Sequence, residues 1–172
     1  MIISIIGYMG SGKSHISKLL SQKLNFELID LDKEISLKNK MSITDIFATK
    51  GEIYFRKQER ELLEEILAQR KNTVLSLGGG TPCYYNNMEI LNHNSTTFFL
   101  QASVSTLTGR LLKQKDRRPL IKNIADDELP EFISKHLFER NAFYAKAQYR
   151  IITDNKEPEM IVKEILNQLT ID

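Results

Sequence analysis

The sequence has one cysteine, Cys83, in 172 residues, so an intramolecular disulfide framework is excluded and the chain fits a reducing compartment. Cys83 reads as a small residue in a packed or half-packed site and not as a reactive thiol. Charge of one sign is also lacking. The 24 lysines and arginines stand against 22 aspartates and glutamates, which leaves no bulk field for a nucleic acid or a membrane surface. No apolar run approaches the roughly 18 residues that cross a bilayer. The N-terminal "MIISIIGYMG" carries no basic stretch ahead of its apolar residues, unlike a secretory signal. Repeats, low-complexity tracts and interdomain linkers are missing too. What is there is a chain with 41% hydrophobic residues, long enough for one well-buried core. The expectation is a single domain over residues 1–172, cytoplasmic, with neither a nucleic-acid nor a membrane partner.

Short apolar runs alternate with longer helical patterns. Ile2–Ile6, Phe26–Ile29, Thr73–Leu77, Thr97–Leu100 and Tyr149–Ile152 read as strands. They are mostly continuous in hydrophobicity, as strands buried on both faces of a parallel sheet are. Helical patterns cover Lys13–Leu24, Ser42–Thr49, Ile53–Gln69, Ser103–Leu112, Glu128–Ala145 and Pro158–Leu169. Gly51 falls just past the end of the second, and Ser42 suits an N-cap with Asp45 three residues on. Alternating strands and helices predict an α/β fold, a three-layer α/β/α sandwich. Lys113–Asp127, polar, charged and interrupted by Pro119, reads as a mobile surface loop.

Glycine is sparse, with eight in the chain, and two clusters hold most of it. "GYMGSGKS", Gly7 to Ser14, matches G-x-x-x-x-G-K-[ST] between a strand and a helix. Its glycines let the backbone curl so that N–H groups at Gly10, Ser11 and Gly12 point at phosphate oxygens, and the helix dipole aims at the same place. Lys13 would bridge the β- and γ-phosphates and Ser14 would ligate Mg²⁺. The pattern implies a nucleoside triphosphate. The second cluster, "SLGGGTP" from Ser76 to Pro82, follows an apolar run. Three residues without side chains are entropically costly to order, so either the turn is loose or something must come close to the backbone at Gly78, Gly79 and Gly80.

The second strand runs into "LIDLD". Side chains two apart on a strand share a face, so Asp30 and Asp32 could meet one site at the sheet edge where ligands bind. One could support Mg²⁺ while the other accepts a proton from an attacking hydroxyl. Arg56 has Glu59 three residues on, on the same helix face. Arg117 and Arg118 stand beside Pro119, and Arg140 lies late in the penultimate helix. A metabolite kinase needs guanidinium groups of two kinds, one to clamp an anionic acceptor and one to close over the transferring phosphoryl group.

Taken together, "GYMGSGKS", "DLD" at 30–32, "SITDIFATKGEIYFRKQE" at 42–59, "GGGTP", "RRPL" at 117–120 and "RNAFY" at 140–144 resemble shikimate kinase. That family is a P-loop kinase of the nucleoside-monophosphate-kinase type, and the resemblance covers nearly the whole chain. It implies a five-stranded parallel sheet in the order 2-3-1-4-5, a substrate-binding region about 31–60 and a lid about 113–127. It implies ATP-dependent phosphorylation of a ring hydroxyl of shikimate to shikimate 3-phosphate and ADP, with Mg²⁺, in the shikimate pathway to chorismate and aromatic amino acids. The active unit would be a monomer. By the same resemblance Asp32 contacts the ring hydroxyls and is the candidate base, Asp30 supports Mg²⁺, and Arg56 and Arg140 hold the carboxylate. Gly78, Gly79 and Gly80 approach the acceptor, with Phe47 and Phe55 lining its pocket or packing in the core. Arg118 is the lid arginine, and Arg110 is the adenine-stacking one. The chain departs from the pattern at His15, where most members carry a threonine that contacts the α-phosphate, and in a spacing from Arg110 to Arg118 one residue longer. The rivals are another small-metabolite kinase of the same fold, such as a gluconate kinase, and a nucleotide-binding regulatory module without turnover.

Overall fold

The structure, a computed structural model, describes residues 1–169. Five parallel strands form one sheet in the order β2-β3-β1-β4-β5, as the resemblance implied. They are β1 (Ile2–Ile6), β2 (Glu27–Asp30), β3 (Thr73–Ser76), β4 (Thr96–Gln101) and β5 (Tyr149–Ile152). The helices are α1 (Lys13–Leu24), α2 (Leu31–Asn39), α3 (Ile43–Ala68), α4 (Asn87–Asn94), α5 (Val104–Leu112), α6 (Leu129–Tyr144) and α7 (Pro158–Leu169).

The central strand explains the continuous hydrophobicity. In β1 every residue is buried, and successive side chains point to opposite faces. Ile3 and Ile5 pack with Ile16 and Leu20 of α1 and with Ile161, Val162 and Ile165 of α7. Ile2 and Ile6 pack on the other face with Leu31, Ile35, Leu63, Ile133 and Tyr144. Each fully buried aliphatic side chain contributes about 1.5–3 kcal/mol of transfer free energy, and a strand that feeds two cores has no polar face to spare. The edge strands β2 and β5 keep exposed positions.

Register places the site. Asp30 pairs with Ser76, and Ile5 pairs with Ser76 from the other side. The chain therefore leaves β1, β2 and β3 at one level of one edge, carrying the loops that begin at Gly7, Leu31 and Leu77.

Three features depart from the sequence reading. Strand β2 ends at Asp30, and Asp32 lies in the first turn of α2, a helix the reading did not contain. The shared-face argument for Asp30 and Asp32 is thereby overturned: Asp30 is the N-cap, accepting from the Lys33 N–H at 3.2 Å. Helix α4 was missed as well; the two missed helices have only nine and eight residues, too short for periodicity to register. The segment 113–127 is less loose than expected. It contains a 3-10 turn at Lys115–Arg117, its Ile121 sits wholly in the core, and Lys115 pairs with Asp126.

The break expected near Gly51 is real. It interrupts α3 with φ 83° and ψ 171°, a backbone conformation nearly confined to glycine, while Ser42 caps the first half by accepting from the Asp45 N–H at 3.1 Å. A Cβ at Gly51 would meet nothing within 4 Å, so a substitution there isolates backbone strain. Gly51→Ala should lower unfolding free energy in urea titration by about 1–3 kcal/mol. A change below about 0.5 kcal/mol would show that the break relaxes into continuous helix.

Candidate active site

The P-loop forms as its spacing requires. Gly10 (φ 79°) and Gly12 (φ 95°) take left-handed conformations, and Gly12 caps α1. Lys13 follows, half-buried, its ammonium donating to the Tyr8 carbonyl at 2.8 Å. Burial pushes the Lys13 pKa down to about 8, against the attraction of Asp32. A cleft of about 660 Å³ opens over this loop, a volume in the range of small-ligand sites. Its lining includes Gly10, Ser11, Gly12, Lys13, Ser14 and His15 from the loop, with Asp30, Asp32, Gly78 and Gly79 across from them. Arg110 and Arg118 complete it on the third side.

Asp32 faces the phosphate end of this cleft from α2. Its pKa is raised to about 6, chiefly by burial and next by the negative charges of Glu59 and Asp30; Lys13 and Arg56 pull the other way. Its nearness to the second glycine run is the decisive geometry. A Cβ at Gly78 would lie 2.9 Å from Asp32 Oδ1. At Gly79 it would lie 3.2 Å from an Arg140 Nη, and at Gly80 2.7 Å from an Arg56 Nη. Three consecutive absent side chains admit three charged ones. None of the three glycines has a left-handed φ, so space and not backbone conformation selects them.

Arg56 lies at the far end of the run, outside the cleft lining. Its Nη1 donates to Glu59 Oε2 at 2.8 Å, confirming the shared helix face. Glu59 is buried and also accepts from Thr81 Oγ1 at 2.6 Å. Arg140 approaches from α6, and Tyr144 one turn later donates to the Gly79 carbonyl at 2.6 Å, pinning the middle of the run. Phe55 is buried beneath Arg56 and stacks obliquely on Phe47 at 4.6 Å, so Phe55 packs in the core while Phe47 stays partly exposed.

On the nucleotide side, Arg110 donates to the Gly10 carbonyl at 3.2 Å. Arg118 donates to Gln114 Oε1 at 3.1 Å, while its buried Nε has no partner. Burial holds the Arg118 pKa below the usual guanidinium range. Its neighbour Arg117 is exposed and absent from the lining.

A shikimate kinase family model matches residues 9–170 of the chain. The chain belongs to the shikimate kinase family. A shikimate kinase of Flavobacterium psychrophilum is 46% identical over 164 residues, 95% of either chain. A solved shikimate kinase of Bacteroides thetaiotaomicron is 37% identical and superposes with a TM-score of 0.92 over 99% of this chain and 98% of that one. Another, from Acinetobacter baumannii in complex with shikimate, is 29% identical with a TM-score of 0.88, covering 98% and 92%.

In this shikimate kinase fold the structure adds residues that sequence reasoning passed over. Thr81 and Tyr144 brace the glycine run, and Lys156, Pro158 and Ile161 close the cleft from the start of α7. Tyr144 belongs to the quoted "RNAFY" and could have been found there. Lys156 and Pro158 carry no signal, because only the return of β5 brings them beside the P-loop.

The raised Asp32 pKa has a thermodynamic consequence. Between its ordinary 3.8 and about 6 the folded chain binds more protons than the unfolded one, so ionising Asp32 weakens the fold as pH rises through that window. Asp32→Asn cannot ionise. It should therefore raise unfolding free energy at about pH 7.5 by roughly 1–3 kcal/mol, a gain that shrinks toward zero by about pH 4. Urea titrations at the two pH values decide it, and an Asn variant no more stable at pH 7.5 would show that the carboxylate is not disfavoured.

Proposed function

We propose that this protein transfers the γ-phosphoryl group of ATP to a ring hydroxyl of shikimate, giving shikimate 3-phosphate and ADP in the shikimate pathway to chorismate. The observation that carries the reading is the convergence of Asp32, Arg140 and Arg56 on Gly78, Gly79 and Gly80, beside Lys13 of the P-loop. An acceptor with one carboxylate and several hydroxyls suits that row: guanidinium groups at one end for the anion, a carboxylate at the phosphate end for the hydroxyl.

Roles follow from position. Asp32, with its pKa raised toward neutrality, takes the hydroxyl proton as the oxygen attacks the γ-phosphorus and ADP departs. Lys13 leaves the Tyr8 carbonyl for the β- and γ-phosphates. Arg118, whose Nε lacks a partner, adds positive charge to the transferring group from the lid. To Arg110, which donates to the Gly10 carbonyl, we assign the base of the nucleotide, and to His15, in the same cleft lining, the α-phosphate end. The Ser14 hydroxyl and the Asp30 carboxylate line the same cleft as Lys13, an oxygen donor set that fits Mg²⁺ completed by phosphate oxygens and water. When bound, Mg²⁺ would neutralise charge on the β- and γ-phosphates.

We take residues 1–172 as one P-loop kinase domain with the acceptor region about 31–60 and the lid about 113–127. The active unit we propose is a monomer. Among the described residues no helix is long and apolar enough to cross a membrane. We assign the reaction to the cytoplasm, where ATP is made and a lone thiol such as Cys83 stays reduced.

A coupled ADP-release assay over shikimate, quinate and gluconate tests the reading. Shikimate should support turnover with Mg²⁺ and ATP, and Lys13→Ala should lose it by about 10³-fold or more while remaining folded. ADP release equal on all three acids, or retained within a few-fold by Lys13→Ala, would overturn it.

The lid arginines give a second test. Arg118→Ala should lower kcat by roughly 10²-fold, since its charge acts on the transferring group. Arg117→Ala, altering an exposed side chain, should stay within about twofold. The reverse ranking would move the lid function to Arg117.

A further inference from the structure

Arg56 is held by more than its two glutamates. Its guanidinium lies over the Tyr84 ring at 3.9 Å from the centroid. On another side it lies so near Gly80 that a Cβ there would come within 2.7 Å of one Nη. The Tyr84 hydroxyl donates to Glu52 Oε1 at 2.6 Å, and the same oxygen stands 3.5 Å from Arg56 Nε. Glu59 takes Nη1. Among the described residues Nη2 has no hydrogen-bond partner, and the buried Nε has only the ion pair with Glu52. Tyr84 follows the 3-10 turn Thr81–Cys83 that ends the glycine run, so the loop that supplies the glycines also supplies the ring.

We infer that Tyr84 is a positioning residue for the acceptor's carboxylate, stacking the Arg56 guanidinium against Gly80 and tethering Glu52 at its Nε edge so that Nη2 stays free. The inference rests on the shikimate reading and deepens it. Two carboxylates beside one arginine would otherwise compete with an anionic acceptor for the same donors. Glu52 is half-exposed, and among the described residues its hydrogen bond and ion pair are with Tyr84 and Arg56, so without the tether it can swing onto the free edge. The hydrogen bond from Tyr84 is also the first cause that holds the Glu52 carboxyl below its usual pKa, which keeps that carboxylate charged and on its own side. The ring contributes separately: a cation over an aromatic face gains attraction that grows as water is excluded, and a flat guanidinium offers a carboxylate a fixed edge.

The test is a set of steady-state constants for wild type, Tyr84→Leu, Tyr84→Phe, Arg56→Lys and the Arg56→Lys/Tyr84→Leu double variant, with melting temperatures in parallel. Tyr84→Leu should raise the shikimate KM about tenfold, with kcat lowered less than about threefold and ATP KM within about twofold. Tyr84→Phe keeps the ring and loses the tether, so its KM should rise only about two- to threefold. In the Arg56→Lys background, where no planar guanidinium remains, adding Tyr84→Leu should change shikimate KM less than about twofold. An unchanged KM in Tyr84→Leu overturns the inference, and so does a full tenfold penalty in the lysine background, which would mean that Tyr84 acts without Arg56. Should the leucine variant melt below assay temperature, Tyr84→Asn, suited to a half-exposed site, carries the same comparison. Failure of the wild type to phosphorylate shikimate would instead sink the underlying function, a result distinct from any Tyr84 outcome.

Discussion

The absence of three consecutive Cβ atoms after β3 is the constraint on which the site depends. Asp32 comes from α2, Arg56 from α3 and Arg140 from α6, three different helices, the last of them far along the chain. Each ends within contact of where a side chain at Gly78, Gly79 or Gly80 would stand. The backbone itself becomes the floor of the site, and the Tyr144 hydroxyl fixes that floor through the Gly79 carbonyl. A longer residue in the run would displace the charged side chain that stands above it.

Charge is crowded around this floor at a known energetic cost. Lys13 and Asp32 are both driven toward neutrality by burial, the first down to about 8 and the second up to about 6. Each favours the other's charged form, yet desolvation dominates in both. A phosphate group beside Lys13 would favour its charged form. A carboxyl with a pKa raised toward neutrality beside a buried lysine is an arrangement suited to the proposed proton and phosphoryl transfer. Arg56 illustrates the opposite strategy, with Glu59 and Glu52 compensating a charge that must remain.

Much of this was legible in the residues. The P-loop is a local device: a strand, left-handed glycines and a helix start lie within adjacent positions, so spacing alone specifies the cradle. The Arg56–Glu59 pair is equally local, three residues apart on one helix, and Gly51 marks its break through composition. The sheet order was not legible from periodicity, which says only that strands are buried on both faces; it entered through family resemblance. The shared face assigned to Asp30 and Asp32 failed because the strand stops at Asp30, whose carboxylate captures the Lys33 N–H and starts a helix. A hydrogen bond worth about 1 kcal/mol at a helix start overrode the period-two reading.

The sequence by itself therefore determined the P-loop, the buried parallel strands and the presence of a glycine run with something close above it. Those properties rest on contacts between near neighbours or on the chemistry of single side chains. That Arg118 and not its neighbour lines the cleft agrees with the family resemblance; tertiary structure alone decided what stands above each glycine and that Thr81, Tyr84 and Lys156 belong to the site. These outcomes depend on the register that brings β1, β2 and β3 to one level and on helices returning from far along the chain. Contact across such separations is set by packing of the whole core, and no local pattern encodes it.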